Sequence, residues 1–380
     1  MAIDGRDAHD LLRDLIALDT VAAGEGAAAA LTAGLLDDAG LSTRTVGWEP
    51  GREQVVAVTP EPAETPPLTF TGHLDTVPAD ARDWRTDPWL AELDGDHLVG
   101  RGASDMKSGV AAFLAALRDH RSRPHRCRGV QVVLTAGEET GCDGAARIPA
   151  DLLRPGGWLL VGEPTANRVV PAHKGALWLR LAARGVSAHG SAPELGRNAV
   201  VALARAAVAL HDAADWPEAE GFGAVTANVG LLNGGTQPNV VPDAAELLLD
   251  LRTVPGSGPE ELRSRVRAIV GPDVEIADLV DLPMVSTPLD SPLVAAVRAV
   301  LRDAGLADEP SAPARFFTDA SVLAGALDAA GTVVLGPGEP GQCHVVDEWC
   351  SLTRLEQAVD VYGRLLDSWC SPGSDLLDMG

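Results

Sequence analysis

Apolar and polar positions keep one rhythm over the first part of the chain, change it in the middle, and return to it near the end. Residues 6–18 and 26–40 repeat their apolar positions at helical spacing, and 55–58 and 68–70 are short apolar runs that predict strands. Residues 103–119 put Val110, Phe113, Leu114 and Leu117 on one helical face. Residues 130–135, 158–161 and 332–335 are further short runs bounded by Gly and Pro. Strands alternating with helices predict an α/β domain with a largely parallel sheet.

From about residue 173 the order becomes strand 174–184, helix 197–212, strands 224–232 and 244–253, helix 258–269 and strand 273–280. That is βαββαβ, a split βαβ sandwich of the α+β type. The expected division is therefore a first domain of residues 1–172 and 287–380, interrupted by an inserted domain of residues 173–286. Pro283 and Pro288 at the crossing suit hinges. At 380 residues the chain exceeds what one core usually supports, which agrees with two domains.

Charge removes some classes of partner. With 54 acidic against 30 basic residues the formal net charge is −24, which disfavours nucleic acid and anionic membrane surfaces. No stretch of about 18 uninterrupted apolar residues occurs, and the N-terminus lacks the basic start and apolar core of a signal peptide. Cys127, Cys142, Cys343, Cys350 and Cys370 form an odd set without a CxxC pair, so neither a disulfide framework nor a zinc ribbon is indicated. A soluble cytoplasmic protein is the expectation.

Five separated patches carry the chemistry, all outside the inserted domain: His73 and Asp75 in FTGHLDTVP, Asp105 in GRGASDMKSG, Glu138 and Glu139 in TAGEETG, Glu163 in LLVGEPT, and His344 in GQCHVVDE. Several follow apolar runs, where parallel strands deliver side chains to one edge of a sheet. Each patch has an ordinary alternative, as a buried histidine, an acidic helix start or a solvated turn. Together they supply the carboxylate and imidazole donors that two divalent ions need. Asp75 lies two residues beyond His73, where its carboxylate can accept the imidazole's other N–H. Glu138 and Glu139 are adjacent like charges, a pair that divides naturally if one binds an ion and the other takes a proton from water.

GHLDTVP, GRGASDMKSGVAA, GEET, GEPT, GVSAHGS, TQPNVVPD, DLR and GQCHVVDE, in that order over nearly the whole chain, resemble the zinc-dependent M20 amidohydrolases. The stretches GEPTANRVVPAHKG and VVLGPGEPGQCHVVDE look most like acetylornithine deacetylase, with succinyl-diaminopimelate desuccinylase a near relative. The resemblance implies a zinc-dependent exopeptidase-like α/β catalytic domain and a ferredoxin-like inserted domain that acts as lid and dimerisation surface of a homodimer. It implies two Zn2+, with Co2+ or Mn2+ as substitutes: His73 and Glu163 on one ion, Glu139 and His344 on the other, and Asp105 bridging, with a cis peptide bond from Asp105 to Met106. Asp75 would orient His73 and Glu138 would be general base and then acid. His189, from a partner subunit, would help hold the oxyanion, and Asn239 and Arg252 would take the substrate carboxylate.

The leading expectation is hydrolysis of the amide of a small N-acyl amino acid to a carboxylate and a free amine. The same chemistry on N-succinyl-diaminopimelate, a dipeptide or a carrier-protein-linked amino acid is the nearest alternative. A metal-binding protein without catalysis is the alternative from another class. Glu138 argues against the last, because a closed structural site has no use for an unligated base.

Overall fold

A computed structural model describes residues 7–21, 24–60, 66–122 and 129–370. The first residue of the expected 6–18 helix, Cys127 and residues 371–380 lie outside that set. The chain divides into two compact units. One comprises Met1–Ala172, Val285–Ala312 and Thr318–Gly380, and the other His173–Met284 and Pro313–Phe317.

The strands of the two main sheets are, in chain order, β1 (Ser42–Glu49), β2 (Arg52–Val58), β3 (Leu68–His73), β4 (Val130–Thr135), β5 (Trp158–Val161), β6 (Gly175–Arg184), β7 (Thr226–Gly234), β8 (Ala244–Thr253), β9 (Val274–Leu282) and β10 (Gly331–Val334). The helices are α1 (Ala8–Ile16), α2 (Glu25–Asp38), α3 (Ser108–Arg121), α4 (Ala199–His211), α5 (Pro259–Val270), α6 (Pro292–Asp303), α7 (Ala320–Ala326) and α8 (Leu352–Cys370).

In the first unit the sheet order is β1-β2-β4-β3-β5-β10. β4, β3, β5 and β10 run parallel, and the β1–β2 hairpin adds an antiparallel edge. β3 and β4 are buried at every position, which is why they read as unbroken runs rather than alternating ones. Helix α3 carries Phe113 onto Phe70 of β3, stacked at 4.0 Å, and Tyr362 of α8 closes edge-on against both rings. Full burial of an aromatic of this size stabilises by roughly 1.5–3 kcal/mol, so this trio ties helices to sheet directly beneath the strand ends that matter below. Two helix starts of this unit are capped by side chains: Asp7 accepts from Asp10 N, and Ser291 before Pro292 accepts from Val294 N.

Three differences from the linear pattern stand out. β1 has no apolar run to mark it, because it is a half-exposed edge strand. The expected 103–119 helix begins only at Ser108. Before it, Ala103–Lys107 forms a wider turn, with Gly102 at φ +81°, Asp105 and Met106 outside helical angles, and a cis Asp105–Met106 peptide. Helices α6 and α8, which the pattern did not yield, cover the sheet with Leu293, Val297, Leu355 and Leu366 buried.

The second unit is a four-stranded antiparallel sheet in the order β7-β8-β6-β9, with α4 and α5 packed on it, so the element order is βαββαβ. Leu177, Leu179 and Leu181 of β6 and Leu247, Leu249 and Leu251 of β8 face Leu203 and Leu262 of the helices, giving the unit its own core. Residues 313–317 also belong here, outside the 173–286 range expected. Ala314 pairs with His173 and Phe317 packs edge-on against Trp178, a long-range pairing that linear periodicity does not carry. Among the described residues no helix is long and apolar enough to cross a membrane. Cys142, Cys343 and Cys350 are free thiols, and Cys370 is disulfide-bonded.

Candidate metal centre

Parallel strands bring the first unit's patches to one edge. His73 ends β3 in register with Thr135, which ends β4, and Glu138 and Glu139 follow three and four residues later. Glu163 follows β5 by two residues. The Ala103–Lys107 turn adds Asp105, and the loop after β10 adds His344, whose φ is +62°.

Asp105 lies between the two imidazoles. Its Oδ1 is 3.1 Å from His73 Nε2 and its Oδ2 is 3.4 Å from His344 Nε2. Glu163 Oε1 lies 3.6 Å from the same His73 nitrogen, and Glu139 lies 3.0 Å from His344 Nε2. Ligand atoms of His73, Asp105 and Glu139 form one group within 4.8 Å of each other, and those of His73, Glu138 and Glu163 another.

Asp75 departs from the expected geometry. The imidazole's Nδ1 donates to the backbone carbonyl of Asp75 at 2.9 Å, while the carboxylate stands 3.7 Å away. That carboxylate is occupied elsewhere, accepting from Glu138 N at 3.2 Å and Glu139 N at 3.1 Å. Asp75 thus orients His73 through its backbone and the two glutamates through its side chain. Because Nδ1 is held by the Asp75 carbonyl, Nε2 is the nitrogen that faces the carboxylates; despite its burial the surrounding acids favour the protonated ring, and an ion would take the place of the Nε2 proton.

The electrostatics ask for cations. Burial drives the Glu138 and Glu163 carboxyls well above the usual carboxylate range, and neighbouring acids add to it against the field of His73. Burial raises Glu139 as well. Burial also works against Asp105, but the His73 hydrogen bond and the two imidazoles outweigh it and hold that carboxyl low. Among the described residues, none of these four acids is paired with Lys or Arg; histidine is their only partner of opposite charge. Four clustered carboxylates and two imidazoles are oxygen and nitrogen donors suited to zinc-like divalent ions, and such ions would relieve the repulsion. The donor set therefore fits a metal pair.

Close packing keeps the edge in place. A Cβ on Gly109 of α3 would sit 2.0 Å from the carbonyl oxygen of Gly162, so only glycine allows the helix to approach the backbone that presents Glu163.

In the second unit, His189 and Asn239 lie on neighbouring loop backbones, because Gly190 N donates to Asn239 O and His189 bridges Val240. Ser191 N donates to His189 Nδ1 at 3.1 Å, which makes Nδ1 an acceptor and leaves the neutral imidazole's proton on Nε2. The ring is exposed. Arg252 of β8 is held by Asp250, at 3.1 Å from Nε and 3.0 Å from Nη2, and lies over the Phe317 ring.

Residue-by-residue reading missed several buried polar groups of the first unit. Glu348 and Arg101 form an ion pair of 2.8 Å beneath Asp105. Asp319 accepts from Thr135 Oγ1, and burial pushes its pKa up to about 6. Lys107 is fully buried and donates to Leu18 O at 2.9 Å. Glu348 follows His344 by only four residues, and an acid inside an apolar VVDEWC stretch was the available signal for it.

Carboxylates with one buried and one half-exposed imidazole, gathered at one edge of a parallel sheet, are the donor set of a metal-dependent hydrolase. Residues 69–368 match the model of Peptidase family M20/M25/M40, and the chain belongs to that family. A succinyl-diaminopimelate desuccinylase of Bordetella petrii is 33% identical, over 95% of this chain and 97% of that protein. An acetylornithine deacetylase of Proteus mirabilis is 29% identical, over 80% of this chain and 79% of that one. An M20 family metallo-carboxypeptidase from Sulfolobus solfataricus superposes with TM-score 0.80 at 18% identity, covering 95% of this chain and 99% of its own. A dinuclear metal binding M20 peptidase from Bacillus subtilis superposes with TM-score 0.68 at 14% identity, covering 94% and 96%. At such identities these superpositions speak for fold alone.

Proposed function

We propose that this protein is a di-zinc hydrolase that cleaves the amide of an N-acylated amino acid, releasing a carboxylate and a free amine. The observation that carries the reading is Asp105, whose two oxygens face two different histidines, each with its own second carboxylate. His73 and Glu163 would hold one ion, Glu139 and His344 the other, and Asp105 would bridge. When bound, the ions supply Lewis acidity to the scissile carbonyl and to an attacking water.

The chain's own residues do the rest. Glu138 is buried beside His73 and Glu163, accepts the proton of the attacking water at its carboxylate, and returns it to the departing nitrogen. Asp75 keeps Glu138 and Glu139 in register through their backbone N–H groups. His189, with its proton on Nε2, is a donor suited to a developing oxyanion. Asn239 and Arg252 are the proposed partners of the substrate carboxylate, and a homodimer through the second unit is proposed with them.

Names of the similar proteins put N-acetyl and N-succinyl amino acids first among substrates. The test is amine release from N-acetyl-ornithine, N-succinyl-diaminopimelate, other N-acyl amino acids and dipeptides by the zinc-loaded enzyme, with Glu138→Ala as control. Release that depends on Glu138 from one acyl class supports the reading and selects the substrate. No release from any member, with two ions bound, would overturn it in favour of a carrier-linked substrate or a binding role.

A further inference from the structure

Glu348 is completely buried, yet it is not among the residues whose ligand atoms cluster at the centre. Its Oε1 accepts from Ser104 N at 2.8 Å and Asp105 N at 2.9 Å, and its Oε2 from Gly102 N at 3.0 Å and Arg101 Nη1 at 2.8 Å. Its own carbonyl accepts from Gly100 N at 2.8 Å. Residues 100–105 are thus wrapped around one side chain. Two further bonds join the same segments, from Ser104 Oγ to Trp349 O at 2.7 Å and from Glu339 N to Ser104 Oγ at 2.9 Å.

The turn explains why an anion belongs there. With Gly102 at φ +81° and Asp105 off the helical angles, successive N–H groups point inward and form a concavity that favours negative charge. A buried carboxylate is costly unless it is paired and hydrogen-bonded. Arg101, itself buried, supplies the charge, and its guanidinium lies 5.0 Å from the centre of the Trp84 ring. Each Glu348 oxygen takes two donors, charge-assisted bonds that use its acceptor capacity and leave it no part in holding an ion.

We propose that Glu348 is a positioning residue for the metal centre: it fixes the backbone of Asp105 so that the two carboxylate oxygens address His73 and His344, and it locks the His344 segment to the Asp105 turn. The inference rests on the two-metal reading above. Acidic residues outside the coordination sphere act on a metal by orienting its ligands, and their loss typically lowers affinity by roughly 10- to 100-fold.

The test is Co2+ titration of the whole protein against a competing chelator, together with the visible spectrum of the cobalt-loaded form, in wild type and Glu348→Gln. The substitution keeps the shape but turns one acceptor into a donor facing N–H groups. The expected result is two ions per chain in wild type, and in the variant a dissociation constant raised by roughly 10- to 100-fold for at least one ion, with an altered cobalt spectrum. A folded variant with the wild-type spectrum and affinity, even if it melts earlier, overturns the proposal and leaves Glu348 a stability element. Fewer than two ions in wild type would sink the two-metal reading and this inference with it. Should Glu348→Gln not fold, Glu348→Asp keeps the charge but withdraws it by one methylene and must show the same spectral change; a wild-type spectrum there overturns the proposal.

Discussion

The candidate metal centre of the first unit and the His189 loop of the second hold their side chains by different means. At the centre His73 and Glu163 are placed by strand ends, Asp105 by the 103–107 turn, and all three by mutual contact. His189 is exposed and held by local bonds to Ser191 and the adjoining backbone. The first arrangement couples its residues through charge, and all but the half-exposed His344 through burial as well. The second leaves an exposed side chain that can be removed with little effect on the fold. Function and stability are therefore entangled in one region and separable in the other.

The largest test of that contrast is Glu138→Ala, which should lower turnover by about 100- to 10,000-fold as loss of a general base does, with both ions retained by elemental analysis. Activity near wild type would remove Glu138 as the base. Next, His189→Ala should cost on the order of 100-fold in kcat while the melting temperature and metal content stay put. A fall in melting temperature by several degrees would mean that the two regions are not as different as proposed.

Acid stability sharpens the comparison from inside the second unit. Burial pushes His173 down to about 4, against about 6.5 in an unfolded chain. The unfolded chain takes up a proton that the folded one refuses. Stability from keeping this ring neutral is therefore present above about pH 6.5 and lost as pH falls toward 4, up to about 3 kcal/mol. Urea unfolding at pH 7 and 4.5 should show that loss in wild type and less of it in His173→Asn; equal pH dependence would refute the assignment.

The smallest expected effect is Gly109→Ala. The added methyl would meet Gly162 O at 2.0 Å, and overpacking of this kind costs about 1–3 kcal/mol. Because Gly162 precedes Glu163, metal affinity should weaken along with stability. A stability loss without any change in metal affinity would show that the strand end tolerates the shift.

Legibility in the sequence followed burial pattern. β3, β4 and β5 are visible because strands buried on both sides need unbroken apolar runs, and the βαββαβ order is visible because the second unit's sheet alternates. β1 was not, since an exposed edge strand of Ser, Thr and Arg has no apolar signature. Helix 103–119 was placed five residues too early, because side-chain periodicity carries no information about backbone angles at Asp105 and Met106. At the site, the residue types at strand ends pointed to the first unit's acids and histidines, and the family resemblance supplied which would pair.

The sequence by itself determined that His73, Glu138, Glu139 and Glu163 would stand at or just past the ends of parallel strands, because apolar runs and the residues that follow them are both local properties of the chain. Which of them would meet was a tertiary matter. Asp105 reaches His73 and His344 across 32 and 239 positions, Asp75 turns its carboxylate to the Glu138–Glu139 backbone, and Glu348 fills a nest of N–H groups that exists only once residues 100–105 have folded around it. Hydrogen bonds and ion pairs are decided at about 3 Å in space, and distance along the chain does not encode that separation.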